Sequence, residues 1–225
     1  MGDYKTLILP INTFEKEIRI LKNLFGEATI NEKLCRIVEI YCTSECMWEE
    51  QLRSLPEEGI KYLLIAEAPP WSSEGEVTYV YNPQSKPRTL LKALCKAFLG
   101  EPLYSIIGTE ETLNRLSAFG LLLIDSLPFA MDYGSKRGNK RYDELVASSI
   151  ESYMLRKLNR DDLQWSSQLK VGFAFKRNAI TIMDNLKEGL LIKKLAESSK
   201  LSADLIVANN AGYPDSKKIK EVFGL

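Results

Sequence analysis

The chain of 225 residues contains no histidine. That absence excludes histidine-dependent triads, zinc sites built on imidazole and the commonest general base. Acid-base work therefore falls to Glu, Asp, Lys, Tyr or Cys. There is no surplus of charge either, 30 basic residues standing against 30 acidic ones, which argues against indiscriminate nucleic-acid binding and leaves only local patches. Long apolar runs are missing. Stretches such as Leu121–Ile124 and Leu205–Ala208 fall far short of the roughly 20 residues that span a bilayer. No charged segment followed by an apolar stretch and a cleavage site opens the chain, so a cytoplasmic protein without a membrane partner is expected. Cysteine is scarce, and of the four present, Cys35, Cys42 and Cys46 recur at helical spacing. Without a tight Cys-x-x-Cys pair they read as small packing residues, not metal ligands, iron–sulfur ligands or disulfides. No metal or other cofactor is expected.

With 45% apolar and 27% charged residues, the composition is that of one well-cored globular domain. The first buried-strand signal runs from Tyr62 to Ala66, apolar without alternation, as in a strand covered on both faces. It ends on Glu67, and Pro69 and Pro70 then force the chain out of the sheet. Leu121–Ile124 repeats this logic, running into Asp125 with Pro128 beyond. Residues 170–175 and 204–210 read as third and fourth strands, the last ending on Asn209 and Asn210. Helical patterns separate them: 13–25, 30–55, 85–100 with Lys86 and Arg88 near its start, Thr109 to Phe119, Tyr142 to Leu158, one beginning near Asn178, 189–198, and Ser216 onward. The expectation is a single α/β domain over 1–225, with a helical part at 1–58 and a core at 60–225. Its architecture is three-layered, a central, mainly parallel four-stranded sheet between helices.

Open α/β sheets bind ligands outside the carboxyl ends of their strands. Glu67 and Asp125 both emerge there. Within one loop of Glu67 lie Tyr79, Tyr81 and Asn82, whose rings can stack on a base and whose amide can pair with its edge. Basic residues outnumber acidic ones between Gly134 and Arg177, and the glycine-containing loop with Lys136, Arg137, Lys140 and Arg141 is suited to phosphates. The plainer alternative is that each carboxylate caps a strand end and the charges form a solvated face.

Three segments carry a resemblance to a known family. Leu64-Ile-Ala-Glu-Ala-Pro-Pro70 with Tyr79-Val-Tyr-Asn82, Phe119-Gly-Leu-Leu-Leu-Ile-Asp-Ser-Leu-Pro128, and Ala208-Asn-Asn-Ala-Gly-Tyr-Pro-Asp-Ser-Lys-Lys-Ile219 together resemble the uracil-DNA glycosylase superfamily of DNA-repair hydrolases. The resemblance covers residues 61–225 and leaves the first 55 unaccounted for. It implies a four-stranded parallel sheet with a base pocket at the strand ends, into which a nucleotide is extruded. By position, Glu67 stands near the water-directing residue, Tyr79 or Tyr81 near the stacking ring, Asp125 near the base-reading position, and Asn209 and Asn210 near the last motif. Two departures matter. The family's terminal histidine is absent, and an acid replaces the base-reading amide, which suits a base with an exocyclic amine better than uracil. The expected function is recognition of a nucleobase or nucleic acid, with N-glycosidic hydrolysis of a modified base. The alternatives are a catalytically inactive glycosylase-like module for binding nucleotides or a protein partner, and hydrolysis of a free nucleoside or nucleotide.

Overall fold

The computed structural model describes residues 12–86, 88–100, 104–186, 205–208, 212 and 214–225. Its sheet consists of β1 (Ile60–Ala66), β2 (Leu121–Asp125) and β3 (Trp165–Phe173), all parallel, in the order β2-β1-β3. The five-residue apolar run Tyr62–Ala66 lies in the central strand, which has a neighbour on each edge and a helical layer on each face. Ala66 pairs with Asp125 and Ile65 with Phe173, so the carboxyl ends of the strands are level. The third strand begins five residues before its expected start at 170. The segment expected to form a fourth strand contributes one parallel bridge, Ile206 to Phe173, with the Val207 N–H donating to the Phe173 carbonyl at 2.9 Å. Among the described residues the sheet is thus three-stranded, and this bridge is what they show of the expected fourth strand. Asn209, Asn210 and the helix expected at 189–198 lie outside the described residues.

The helices are α1 (Glu15–Phe25), α2 (Glu27–Leu52), α3 (Thr89–Phe98), α4 (Tyr104–Ala118), α5 (Lys140–Ser149), α6 (Leu155–Leu158), α7 (Lys176–Asn185) and α8 (Ser216–Phe223). A π-helical turn at Ile150–Met154 joins α5 to α6. In α4, Gly108 breaks the helix with φ +82°, one residue before the expected start at Thr109. On one face of the sheet α1 packs on α2 and α5, and α5 on α7, around edge-to-face contacts of Phe14 with Tyr41, Phe129 and Tyr153. On the other face α3 packs on α4 and α8, and Tyr62, Phe98 and Phe223 meet ring to ring. The result is three layers.

Two details hold the sheet's edges. At the amino ends of β1 and β2, Gly59 and Gly120 both have positive φ, and a Cβ on Gly120 would stand 2.7 Å from the Gly59 carbonyl oxygen. Only glycine fits such a close backbone approach. On the outer side of β2, the Leu123 N–H donates to the Tyr81 hydroxyl oxygen at 2.6 Å, and the Leu123 carbonyl accepts from the Trp48 indole at 2.9 Å. Side chains thereby close an edge that would otherwise offer free ladder groups.

The reading of the helix cysteines as packing residues is corrected. Cys35 and Cys46 are exposed and Cys42 is half-buried, whereas Cys95 on α3 is buried. The apolar stripe of α2, Ile30, Ile37, Val38 and Trp48, occupies the sheet-facing side and leaves Cys35 and Cys46 outside it.

Candidate functional site

The level strand ends open into a cavity of about 290 Å³ whose walls include Glu67, Pro69, Tyr79, Asp125, Phe175 and Pro214. Its size is at the low end of small-molecule pockets, roughly 300 Å³ and above. Pro69 and Pro70 turn the chain out of β1 and supply one wall. The antiparallel bridge of Ala208 with Pro214 folds the chain back toward the sheet and supplies another. Lys86 and Arg88 line the mouth from the segment entering α3. The loop beyond β1 is tied down from α2, since the Arg36 guanidinium donates to the Ser72 carbonyl at 3.0 Å and to the Gly75 carbonyl at 2.7 Å.

Glu67 continues the ladder out of β1: its carbonyl accepts from the Leu127 N–H at 2.8 Å and from the Ser126 hydroxyl at 3.0 Å. Its carboxylate is held on both oxygens. Arg137 donates to Oε1 at 2.7 Å and to Oε2 at 2.6 Å, and lies 4.2 Å from the Phe175 ring centroid. The turn that presents Arg137 is closed by the Lys136 and Arg137 N–H groups on the Tyr133 carbonyl. The Tyr142 hydroxyl stands 2.6 Å from Glu67 Oε1 and 2.8 Å from Asn178 Oδ1, so one proton faces two acceptors. Burial, then the Glu67 charge, pushes the Tyr142 phenol far above its ordinary pKa, so it remains a donor. Asn178 in turn donates to the Ser126 hydroxyl at 2.7 Å. A carboxylate offers roughly four lone-pair sites. With Arg137 and Tyr142 donating, one acceptor site on Oε2 stays open.

Asp125 forms the deep wall. It is 2% exposed, and its Oδ2 and the Tyr79 hydroxyl are both closed off from solvent and near enough to act on each other's titration. Burial pushes the Asp125 carboxyl up to about 7; the Lys157 charge opposes this, and Glu45 and Glu67 add to it. Burial likewise raises the Tyr79 phenol, with the Asp125 charge next in weight. Lys157 belongs to a buried network behind Asp125: its ammonium donates to Glu45 at 2.6 Å and to the Tyr153 hydroxyl at 2.9 Å, over the Trp48 ring.

Of the residues expected from the sequence, Glu67, Tyr79 and Asp125 converge on this cavity. Tyr81 and Asn82 stand elsewhere. Tyr81 serves the Leu123 amide, and Asn82 staples its own loop, donating to the Val77 carbonyl at 2.6 Å and accepting from the Gln84 N–H at 2.9 Å. In the basic loop, Arg137 is the partner of Glu67, Lys136 lies 5.6 Å from the Phe25 ring centroid, and Lys140 and Arg141 are exposed at the start of α5. None of the four lines the cavity. Tyr142, Asn178 and Ser126 were not singled out in the sequence. The available signals were a serine directly after the Asp125 strand end and polar residues entering α5 and α7. Among the described residues no cluster of three or more Cys, Asp or Glu suits a metal ion.

No protein-family model matches the chain, and searches of curated proteins and of solved structures likewise find no match.

Proposed function

We propose that this cavity binds a nucleobase and that the protein is a glycosylase-like hydrolase of the N-glycosidic bond of a modified base. The observation that carries this reading is the meeting of an anchored carboxylate, Glu67, with Tyr79 and Asp125 in one cavity of mainly apolar walls at the carboxyl ends of the strands. Planar heterocycles with a few polar edge atoms are the ligands such a pocket suits. The motif resemblance to the uracil-DNA glycosylase superfamily and the sheet order β2-β1-β3, with Ile206 continuing beyond β3, support a four-stranded glycosylase-like core.

In this reading the open lone pair of Glu67 Oε2 holds a water. The water oxygen bonds to the anomeric carbon of the sugar, its proton passes to Glu67, and the C–N electron pair leaves on the base. With no histidine available, hydrogen bonds from the Tyr79 hydroxyl and from protonated Asp125 stabilise that charge. Asp125 also sets the preference. As a carboxylate it accepts from an exocyclic amine. As an acid it also donates to the adjacent ring nitrogen, which matches the edge of an amine-bearing base at both positions.

The test is base release, scored as abasic sites, from labelled single- and double-stranded oligonucleotides carrying deaminated, alkylated and mismatched bases, with Glu67→Gln alongside. Release that disappears in Glu67→Gln supports the hydrolase. The grip of Arg137 on both oxygens of Glu67 favours a second reading, a binding module without chemistry. Nucleoside binding that is lost in Asp125→Leu, with no release from any substrate, would select it.

A further inference from the structure

Three of the four cysteines lie on α2, and all are free thiols, Cys35 and Cys46 exposed and Cys42 half-buried. They stand on the side of the helix opposite its buried stripe of Ile30, Ile37, Val38 and Trp48. Cys42 and Cys46 are four residues apart, which places them one above the other on successive turns with Cβ atoms roughly 5–6 Å apart. Burial, then the neighbouring Cys46 and then Glu45, raise the Cys42 thiol above its ordinary pKa, so the two sulfurs are near enough to act on each other. We propose that Cys42 and Cys46 form a two-coordinate site for a soft monovalent metal ion, Cu(I).

Spacing decides between the chemistries open to two thiols. A disulfide needs Cβ atoms about 3.5–4.5 Å apart, closer than adjacent turns of an intact helix bring them. A metal–thiolate bond is about 2.3 Å long, so a linear sulfur–metal–sulfur unit sets its sulfurs about 4.6 Å apart. Rotation about the two Cα–Cβ bonds brings the sulfurs to that separation with the helix unchanged.

The surroundings decide the metal. Structural zinc and iron–sulfur clusters are held by four ligands. Cys35 lies about 10 Å along the helix from Cys42, at 1.5 Å per residue, and is out of reach. The neighbouring carboxylates are engaged elsewhere: Glu39 pairs with Arg36, Glu45 with Lys157 and the Tyr153 hydroxyl, and Glu49 with Arg160. Among the described residues no third Cys, Asp or Glu joins the pair in a group that suits a metal ion. Two thiolates alone match a soft ion that accepts linear coordination. Each sulfur releases its proton to solvent and donates a lone pair to the copper, whose oxidation state does not change. The site is separate from the base cavity, since neither thiol lines that cavity, and it stands or falls independently of the base-binding reading.

The experiment is anaerobic titration of the full, thiol-reduced chain with Cu(I), supplied as its acetonitrile complex, in competition with a chromogenic Cu(I) chelator. The ultraviolet thiolate-to-copper charge-transfer band and copper X-ray absorption report the ligands. The expected result is one Cu(I) per chain with two sulfur neighbours, proton release on binding, and an elution volume on gel filtration that copper leaves unchanged. Cys42→Ser and Cys46→Ser should each abolish binding, whereas Cys35→Ser and Cys95→Ser should retain it. Cys46 is exposed, so its serine variant should keep the parent's helical circular dichroism, and loss of copper there reports a lost ligand and not a lost fold. Copper that persists in Cys46→Ser, a shell of three or four sulfurs, equal loss in Cys35→Ser, or a larger assembly formed only with copper would each overturn the site.

Discussion

Asp125 reports the chemistry of the site through its titration. Its carboxyl is raised in the folded chain to about 7 from an ordinary 3.8, so the folded state holds the proton more tightly than the unfolded chain. Stability from this group is fully present below about pH 4 and is lost as pH rises to about 7. The loss is of order 4 kcal/mol at 1.36 kcal/mol per pH unit. Urea unfolding at pH 4.5, 6 and 7.5 should show this decline, and Asp125→Asn should flatten it. Tyr81 makes the opposite kind of contribution. Replacing it with Phe strips the acceptor from the buried Leu123 N–H and should cost about 1–3 kcal/mol, read from the urea midpoint, with nucleoside binding unchanged. The sequence offered Tyr79, Tyr81 and Asn82 as equivalent candidates for the base. What separates them is that Tyr79 lines the cavity, whereas Tyr81 serves the distant Leu123 backbone and Asn82 staples its own loop.

Elements were legible where their signals are local. The central strand, the turn at Pro69 and Pro70, and the closing helix from Ser216 follow from short stretches. The start of β3 was missed because Trp165–Gln168 is polar and partly exposed, joining the sheet through its backbone while its side chains give no apolar run. Gly120 was legible only as the end of a helix, although its larger constraint is the opposing Gly59 carbonyl. Gly120→Ala should destabilise by about 1–3 kcal/mol, the cost of forcing a side chain into that conformation and space, measured as a shift in thermal midpoint. The loop after β1 depends on α2 in the same way. Arg36→Ala removes its bonds to Ser72 and Gly75, and faster amide exchange confined to about residues 71–78, with little change in global stability, is the expected outcome.

At the scale of the molecule, residues 12–55, part of the stretch that no motif explained, cover one face of the sheet. Phe14 and Trp48 are fully buried there, and Trp48 reaches the backbone of β2. A fragment beginning at residue 56 is therefore expected to lose cooperative unfolding and to bind a hydrophobic dye, because that face loses its cover. No helix among the described residues is long and apolar enough to cross a membrane. By itself the sequence determined the α/β class, the parallel buried strands and the two carboxylates at strand ends, since apolar periodicity and proline stops act over a few residues. Only the tertiary structure decided that Arg137 clamps Glu67 and that Asp125 and Tyr79 share a cavity whose mouth carries Lys86 and Arg88 instead of the 136–141 loop. Those relations arise where segments distant in sequence meet, 70 residues apart for Arg137 and Glu67, and pairwise contact at that range leaves no periodic trace in a single chain.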